Sequence, residues 1–329
     1  MTEIYISDAI HGDVMADILK NALVHVGYGP GKVNYLDISE NIDAVILRAE
    51  TFTREMIEAS PRLKIIARHG VGTDNVDIPA ASEKGVWVTS TPGSNSNAVA
   101  EHVFALLLSL TRRVVPAANR VLAGTWAEGR GDLIGHELSG RTLGIVGFGA
   151  IGKRVAAMAK GFGMRVLASD PAATAADAAT AGADLVELDT LYDGADIITL
   201  HAPLLPSTRH MISTRELALM KPGAVIINTS RGGLIDEDAL VAALTNGTLA
   251  GAALDVLESE TIDMKDPLSK NRVPLHEVPT LLVTPHIAGQ TQEAFQEAGV
   301  RSWSDVQAVL AGEPPAFPVN ANDLRKVPA

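Results

Sequence analysis

Short apolar runs alternate along this chain with longer stretches in which apolar positions recur at helical spacing. In the first part the runs Ile4–Ser7, Ala44–Arg48, Leu63–Arg68 and Val86–Thr89 predict strands. Helical patterns from about Asp13, from Thr53 and near Ala80 separate them. The stretch Thr91-Pro-Gly-Ser-Asn-Ser-Asn reads as a loop, and Asn97 as the N-cap of a long helix over Ala98–Arg113. A second, more regular series follows, with predicted strands Leu143–Gly147, Val166–Asp170, Ile197–His201, Val225–Ser230, Ala252–Val256 and Leu281–His286. Helices such as Ala150–Phe162 and Asp236–Asn246 lie between them, and the Ala/Thr/Asp-rich stretch 172–183 reads as helix or loop. A last helix over Thr291–Leu310 stops at Gly312-Glu-Pro-Pro. Such alternation predicts parallel sheets with helices on both faces, hence an α/β protein of two doubly wound units. Order in sequence alone places the cut near residue 97.

Composition changes this picture little. A chain of 329 residues exceeds one ordinary core, in agreement with two domains. Aromatic residues are only 4%, so the cores must rest on Ala, Val, Leu and Ile, as buried parallel strands do. The formal charge of −12 argues against a nucleic-acid or membrane-surface binder, although a local Arg cluster can still hold an anionic substrate. Cysteine is absent, which excludes disulfides, thiolate metal sites and cysteine nucleophiles and permits a reducing cytoplasm. The start, MTEIYISDAIHGDVM, lacks the basic and apolar regions of a signal peptide, and no apolar run reaches transmembrane length. A cytoplasmic location is the expectation.

The most informative local pattern is Gly147-Phe-Gly149-Ala-Ile-Gly152. With 29 glycines in the chain the spacing alone means little. Here an apolar strand precedes it, a helix follows, and the next strand ends in Asp170, 18 residues past Gly152. Gly147 allows the tight turn, Gly149 the approach of a pyrophosphate, and Gly152 close helix–strand packing. The helix N-terminus offers unpaired N–H groups and positive dipole to the phosphates. Asp170 is placed to accept hydrogen bonds from the ribose hydroxyls. Its charge would repel a 2′-phosphate, so NAD is expected rather than NADP.

Ligands of open α/β sheets bind beyond the carboxyl ends of the strands. Asp170, His201, Thr229, Ser230, Arg231, Asp255 and His286 all fall there. Hydride transfer to a 2-keto acid needs a cation for the carboxylate and carbonyl, a general acid, and a carboxylate to orient that acid. Arg231, His286 and an acid near 258–260 supply those types, and Arg suits the forked contact with a carboxylate. Singly, each has an ordinary reading: Arg231 as a turn residue at the surface, His286 as a satisfied core histidine. Asp236, Glu237 and Asp238 open a helix and complement its dipole, so no metal site is expected there. The nine histidines contain no H-E-x-x-H pair, and no G-x-S-x-G elbow occurs.

Five ordered stretches carry a family resemblance, Gly144–Gly152, His201-Ala-Pro-Leu-Leu-Pro-Ser-Thr-Arg-His, Met220–Asp236, Gly251–Val256 and Thr284-Pro-His-Ile-Ala-Gly, joined near the front by Arg68-His-Gly-Val-Gly-Thr-Asp-Asn-Val-Asp. Over nearly the whole chain they resemble the D-isomer-specific 2-hydroxyacid dehydrogenases. The resemblance implies that Arg231 binds the substrate carboxylate and carbonyl, that His286 is the acid/base, and that Glu260 is its partner. It implies that Asp255 contacts the nicotinamide carboxamide and that Ala150 and Ile151 meet the pyrophosphate. His201, Ala202, Pro203, Thr208, Thr229, Ser230 and Gly289 would line the cofactor cleft. The Val71–Gly72 backbone would hold the substrate carboxylate from the other domain. It also moves the domain cut: a flavodoxin-like substrate domain of 1–97 plus 290–329, with a Rossmann cofactor domain of 98–289 inserted, hinge helices that allow closure, and a homodimer built on the cofactor domain.

The chain departs from the family pattern in places. An acidic-Pro step reads Leu-Glu258-Ser-Glu260-Thr261 here, which leaves Glu258 as a rival to Glu260. The loop Ile262–Val278 is long and polar, and His69 replaces a small residue. Arg48 and Arg68 lie where the phosphoglycerate dehydrogenases of this family place phosphate-facing cations, and Arg130 would reach in from a neighbouring subunit. D-3-phosphoglycerate is therefore the leading substrate. Hydroxypyruvate or glyoxylate reduction and oxidation of a sulfonated hydroxy acid stand as alternatives, as do formate oxidation and a non-catalytic NAD-sensing scaffold like the C-terminal-binding corepressors. The short stretch after the last helix sets the expectation of no appended serine-sensing domain.

Overall fold

The computed structural model describes residues 2–126, 130–263, 266–268 and 278–324. Its contacts divide into two units, Met1–Asn95 with Gln290–Ala329, and Ser96–Gly289. In chain order the first unit contains β1 (Glu3–Ile6), α1 (Gly12–Asn21), β2 (Leu23–Val26), β3 (Ala44–Leu47), α2 (Arg54–Glu58), β4 (Ile65–Arg68), α3 (Ile78–Glu83) and β5 (Trp87–Thr89). All pairings are parallel, in the order β2-β1-β3-β4-β5. That is the flavodoxin-type winding, whose order reverses between β1 and β3.

Side chains alternate across each strand, so Ile4 and Ile6 face one way and Tyr5 the other. Tyr5, Val45, Leu47 and Ile66 pack with Tyr35, Phe52 and Ile57 on one face. Ile4, Ile6, Ile46 and Ile65 pack with Val14 and Ile18 on the other, and there the chain returns from its far end.

The second unit opens with α4 (Ser96–Thr111) and α5 (Val114–Leu122), and then winds through β6 (Thr142–Val146), α6 (Ala150–Gly161), β7 (Arg165–Ser169), α7 (Ala175–Ala181) and β8 (Asp184–Leu185). It continues with α8 (Leu188–Gly194), β9 (Ile197–Leu200), α9 (Thr214–Leu219), β10 (Ala224–Asn228), α10 (Glu237–Thr245), β11 (Leu249–Leu254) and β12 (Leu281–Val283). Its sheet runs β12-β11-β10-β9-β6-β7-β8, all parallel. This is the Rossmann order with an added strand, reversing between β6 and β9. Leu143 and Ile145 pack on Val103, Leu107, Val155 and Ala159, which seats α4 and α6 on one face. No helix of the described residues is long and apolar enough to cross a membrane.

The chain then re-enters the first unit as α11 (Gln292–Leu310) and the short α12 (Ala321–Leu324). Trp303, Val306 and Val309 of α11 are buried against β1, β3 and β4. Each buried side chain of this size contributes roughly 1.5–3 kcal/mol. The Trp303 indole N–H donates to Asp17 of α1 at 2.8 Å.

Local readings mostly became elements. Strands β2 and β8 had no expectation of their own; both are sheet edges, and Leu23 of β2 is exposed, so neither carries a full apolar pattern. Asn97 is not the N-cap: α4 begins at Ser96, and the Asn97 amide donates to Glu101 one turn on. The stretch 172–183 contains α7, closed by a Thr174/Asp177 capping box at one end and by Gly182 at the other.

Candidate active site

The switch point of the second sheet is built around the glycine turn. Gly147 sits at φ 91°, and a Cβ there would meet the His201 backbone at 2.6 Å. A Cβ on Gly152 would strike the Gly147 carbonyl oxygen at 2.4 Å, so α6 can start this close to β6 only with glycine at both places. Gly149 is the N-cap of α6 and gives no side-chain cap, so the first N–H groups of the helix, at Ala150 and Ile151, have no capping side chain to bind. That arrangement suits an anionic group.

Asp170 follows β7. Its Oδ2 accepts from the Phe148 N–H at 2.6 Å and its Oδ1 from the Ala172 N–H at 2.7 Å. The carboxylate is thus fixed beside the turn with acceptor capacity remaining. Two buried polar atoms at the same strand ends lack a hydrogen-bond partner among the described residues, His201 Nδ1 after β9 and Thr229 Oγ1 after β10. Burial drives the His201 pKa down to about 3, so the ring is neutral, and Nε2 lies 3.0 Å from Thr199 Oγ1. A helix terminus without a cap, a fixed carboxylate and two polar atoms in want of partners fit a bound dinucleotide.

Other residues expected in the cleft have structural tasks. Thr208 closes its own loop, its hydroxyl donating to the Pro203 carbonyl at 2.7 Å and accepting from Leu205 N–H at 2.8 Å, while Ala202 precedes that loop. Ser230 and Arg231 lie in a turn clamped by the buried Asn228, which accepts from Ser230 N–H and donates to the Arg231 carbonyl. Arg231 Nη1 donates to the Ser230 carbonyl at 2.8 Å.

Beyond β12 the chain turns through His286, whose φ of 53° is left-handed. Such a backbone costs a non-glycine residue about 1–3 kcal/mol and persists only where the surroundings enforce it. Here Asp255, wholly buried after β11, supplies the enforcement. Its carbonyl accepts the His286 N–H at 2.9 Å, its Oδ1 accepts from Thr284 Oγ1 and Ile287 N–H, and its Oδ2 accepts from Ala288 N–H. His102 of α4 reaches the same carboxylate at 3.5 Å. Burial pushes the Asp255 carboxyl up, but the hydrogen bonds from His102, Thr284, Ile287 and Ala288 outweigh it and hold the pKa below the usual range. Gly289 ends the same turn.

Held this way, the His286 ring places Nδ1 2.7 Å from Glu260 Oε2. A carboxylate only accepts, so Nδ1 carries the hydrogen. Glu260 is in turn fixed through Oε1, which accepts the Leu257 N–H at 2.9 Å. Glu258 points elsewhere: it pairs with Arg209 and with His210 at 3.0 Å, and its own N–H donates to the buried Glu237. Most of the loop 262–278 lies outside the described residues.

In the first unit Arg48 directly follows β3 at the switch point, with its N–H bound to Ser7 Oγ at 2.9 Å. Arg68 ends β4, and its Nε donates to Asn75 at 3.2 Å. Asn75 also donates to the carbonyls of Arg48 and Glu50. Val71 and Gly72 lie in the bend that follows, Val71 exposed. Asn75, Thr284 and His102 were given no role in the sequence reading. Each acts by holding another site residue, and nothing in its own sequence position marks that.

A Rossmann sheet with this turn and this carboxylate defines an NAD-binding α/β protein. The comparisons name the family. Residues 104–288 match the model of the D-isomer specific 2-hydroxyacid dehydrogenase NAD-binding domain, so the chain belongs to that family. It is 42% identical to the D-3-phosphoglycerate dehydrogenase of Synechocystis over 98% of its own length and 57% of that relative's. It therefore spans little more than half of that longer protein. It is 39% identical to the glyoxylate reductase of Thermococcus litoralis, covering 89% of this chain and 88% of the relative. Among solved structures, the TT0316 protein of Thermus thermophilus superposes with a TM-score of 0.86 at 34% identity, over 97% of this chain and all of the other.

Proposed function

We propose that the chain catalyses NAD-linked interconversion of a small D-2-hydroxy acid and its 2-keto acid, with D-3-phosphoglycerate as the best-fitting substrate. The observation that carries this reading is the Glu260–His286 pair at 2.7 Å, set on a strained turn that Asp255 enforces. NAD, when bound, supplies the hydride acceptor; Ala150, Ile151 and Asp170 would hold its pyrophosphate and ribose, and Gly149, His201 and Thr229 would border it. The carboxamide contact expected of Asp255 would fall to its remaining acceptor capacity.

In this reading Arg231 grips the substrate carboxylate and polarises the carbonyl. His286 Nε2 takes the hydroxyl proton as C2 is oxidised and returns it to the carbonyl oxygen in the reverse direction. Glu260 keeps Nδ1 protonated and stabilises the imidazolium that forms. Val71 and Gly72 backbone would add to the grip on the carboxylate, and Arg48 and Arg68 would bind the second anionic group, a phosphate, by charge-assisted hydrogen bonds.

Two further parts of the reading concern setting. Val114, Val121, Leu122, Trp126 and Ile134 are exposed on or after α5, an apolar surface suited to a second copy of the chain. Arg130 stacks over Trp126 in the same region, at 5.9 Å. Sedimentation should show a dimer that Leu122→Glu weakens; a monomer at micromolar concentration contradicts it. A cytoplasmic setting goes with NAD turnover and is checked by cell fractionation.

The test of function is initial-rate NADH production from D-3-phosphoglycerate, D-glycerate, D-lactate, D-malate, sulfolactate and formate with NAD⁺ and NADP⁺, and the reverse reaction with keto acids. Preference for phosphoglycerate and NAD⁺ supports the proposal in full. Preference for glyoxylate or hydroxypyruvate keeps the chemistry and moves the substrate. Tight NADH binding without turnover on any acid would replace it with the sensor reading.

A further inference from the structure

The first unit contains a cluster that the proposed chemistry does not use. The Arg48 guanidinium carbon lies 4.8 Å from the centroid of the Phe295 ring, in the first turn of α11. No ion pair to Arg48 occurs among the described residues. Phe295 also meets the His69 ring edge-on, with centroids 4.9 Å apart and an interplanar angle of 65°. His69 Nε2 is also 3.1 Å from the Phe295 carbonyl oxygen, to which it donates, since a carbonyl only accepts. One buried imidazole thereby fixes both the ring and the backbone of Phe295.

His69 is only 4% exposed, and burial together with the Arg48 and Arg68 charges lowers its pKa to about 4. It is neutral at physiological pH. The cluster thus sets Arg48 against a ring that a neutral imidazole fixes, in place of a carboxylate that would cancel its charge. A guanidinium laid against an aromatic face keeps its N–H fork in its own plane, available to an oxyanion, and has already given up side-chain freedom that binding would otherwise cost. Arg48 also follows the carboxyl end of the strand beside the sheet's switch point, where α/β sheets receive ligands.

We propose that Phe295 and His69 are specificity-determining positioning residues. They pre-set the Arg48 fork for the multi-oxygen anionic group on the far end of a doubly charged 2-hydroxy acid, and so select it over acids with an uncharged end. The inference rests on the assignment of Arg48 to that group. His69, which stands where a small residue is usual, acquires a purpose: it is the wedge that holds Phe295.

The test compares KM for D-3-phosphoglycerate and for D-glycerate, the same acid without the phosphate, in the wild type, Phe295→Ala, Phe295→Trp and His69→Ala. Removing a cation–π partner should raise KM for phosphoglycerate about three- to thirty-fold in Phe295→Ala, with a much smaller change for D-glycerate and in kcat. Phe295→Trp should restore the wild-type ratio, and His69→Ala should fall between. An unchanged ratio in a folded Phe295→Ala enzyme overturns the inference while leaving the substrate assignment intact; an equal loss on both acids marks Phe295 as merely structural and also overturns it. A wild type that treats both acids alike overturns the Arg48 assignment and this inference together. Inorganic phosphate provides a readout without turnover. It should raise the wild-type melting temperature more than that of Phe295→Ala, and equal shifts count against the proposal.

Discussion

The two units solve one architectural problem, a parallel sheet with polar residues at its strand ends, and they finish those ends differently. In the second unit the polar side chains are tied to one another: Glu260 to His286, and Asp255 to Thr284 and the backbone after His286. In the first, Arg48 rests on a ring and Arg68 reaches an amide and a carbonyl. A network closed on itself keeps its geometry whichever acid arrives, as proton transfer requires. Arg48, set against a neutral ring, keeps its charge for an outside anion. In the proposed reading, this contrast gives chemistry to the second unit and choice of substrate to the first.

The largest expected effect breaks the second unit's side of this comparison. His286→Ala should lower kcat by about 10²-fold or more while NADH affinity, read by fluorescence titration, is retained. Parallel loss of affinity and turnover would mean that the residue serves the cofactor cleft and not the proton.

A milder change separates the two neighbouring glutamates. Glu260→Gln should reduce kcat at least about tenfold, because the amide no longer fixes the ring tautomer. Glu258→Gln should spare kcat and lower the melting temperature, since Glu258 ties Arg209 and His210 together. The opposite pattern would reverse the assignment.

The smallest effect treats both units alike. His69 and His201 each have a pKa depressed by burial, to about 4 and about 3. Their contribution to stability is complete above the unfolded value near 6.5 and is lost as pH falls, at about 1.4 kcal/mol per pH unit for each histidine. The Asp255 carboxyl, lowered instead, begins to lose its contribution only as the pH falls to the ordinary carboxylate value, so the window from pH 6.5 to 5 reports the histidines. Urea unfolding should shift to lower concentration across that window. Invariance there would show that both imidazoles take up protons in the folded state as readily as in the unfolded chain.

Much of the second unit was legible in the sequence because its signals are local. The turn Gly147–Gly152, the strand ending at Asp170 and the Thr284-Pro-His286 step each specify backbone and chemistry within a few residues. What was not legible depends on distance. Nothing near Glu258 and Glu260 says which one meets His286; that follows from Leu257 N–H holding one and Arg209 the other. Asp255 reads as a ligand contact, yet its carboxylate is occupied with the turn it supports. Phe295, on a helix far along the chain, gave no sign that its ring would lie under Arg48. Edge strands β2 and β8 escaped notice because an edge needs no complete apolar pattern.

The most direct measurement of the division between chemistry and choice is the ratio of kcat/KM for D-3-phosphoglycerate over D-glycerate in Arg48→Ala beside the wild type. Loss of a charged hydrogen-bond donor should lower that ratio by about tenfold or more. A ratio that stays constant while both rates fall together would place Arg48 in the general fabric of the enzyme, and would contradict the assignment of substrate choice to the first unit.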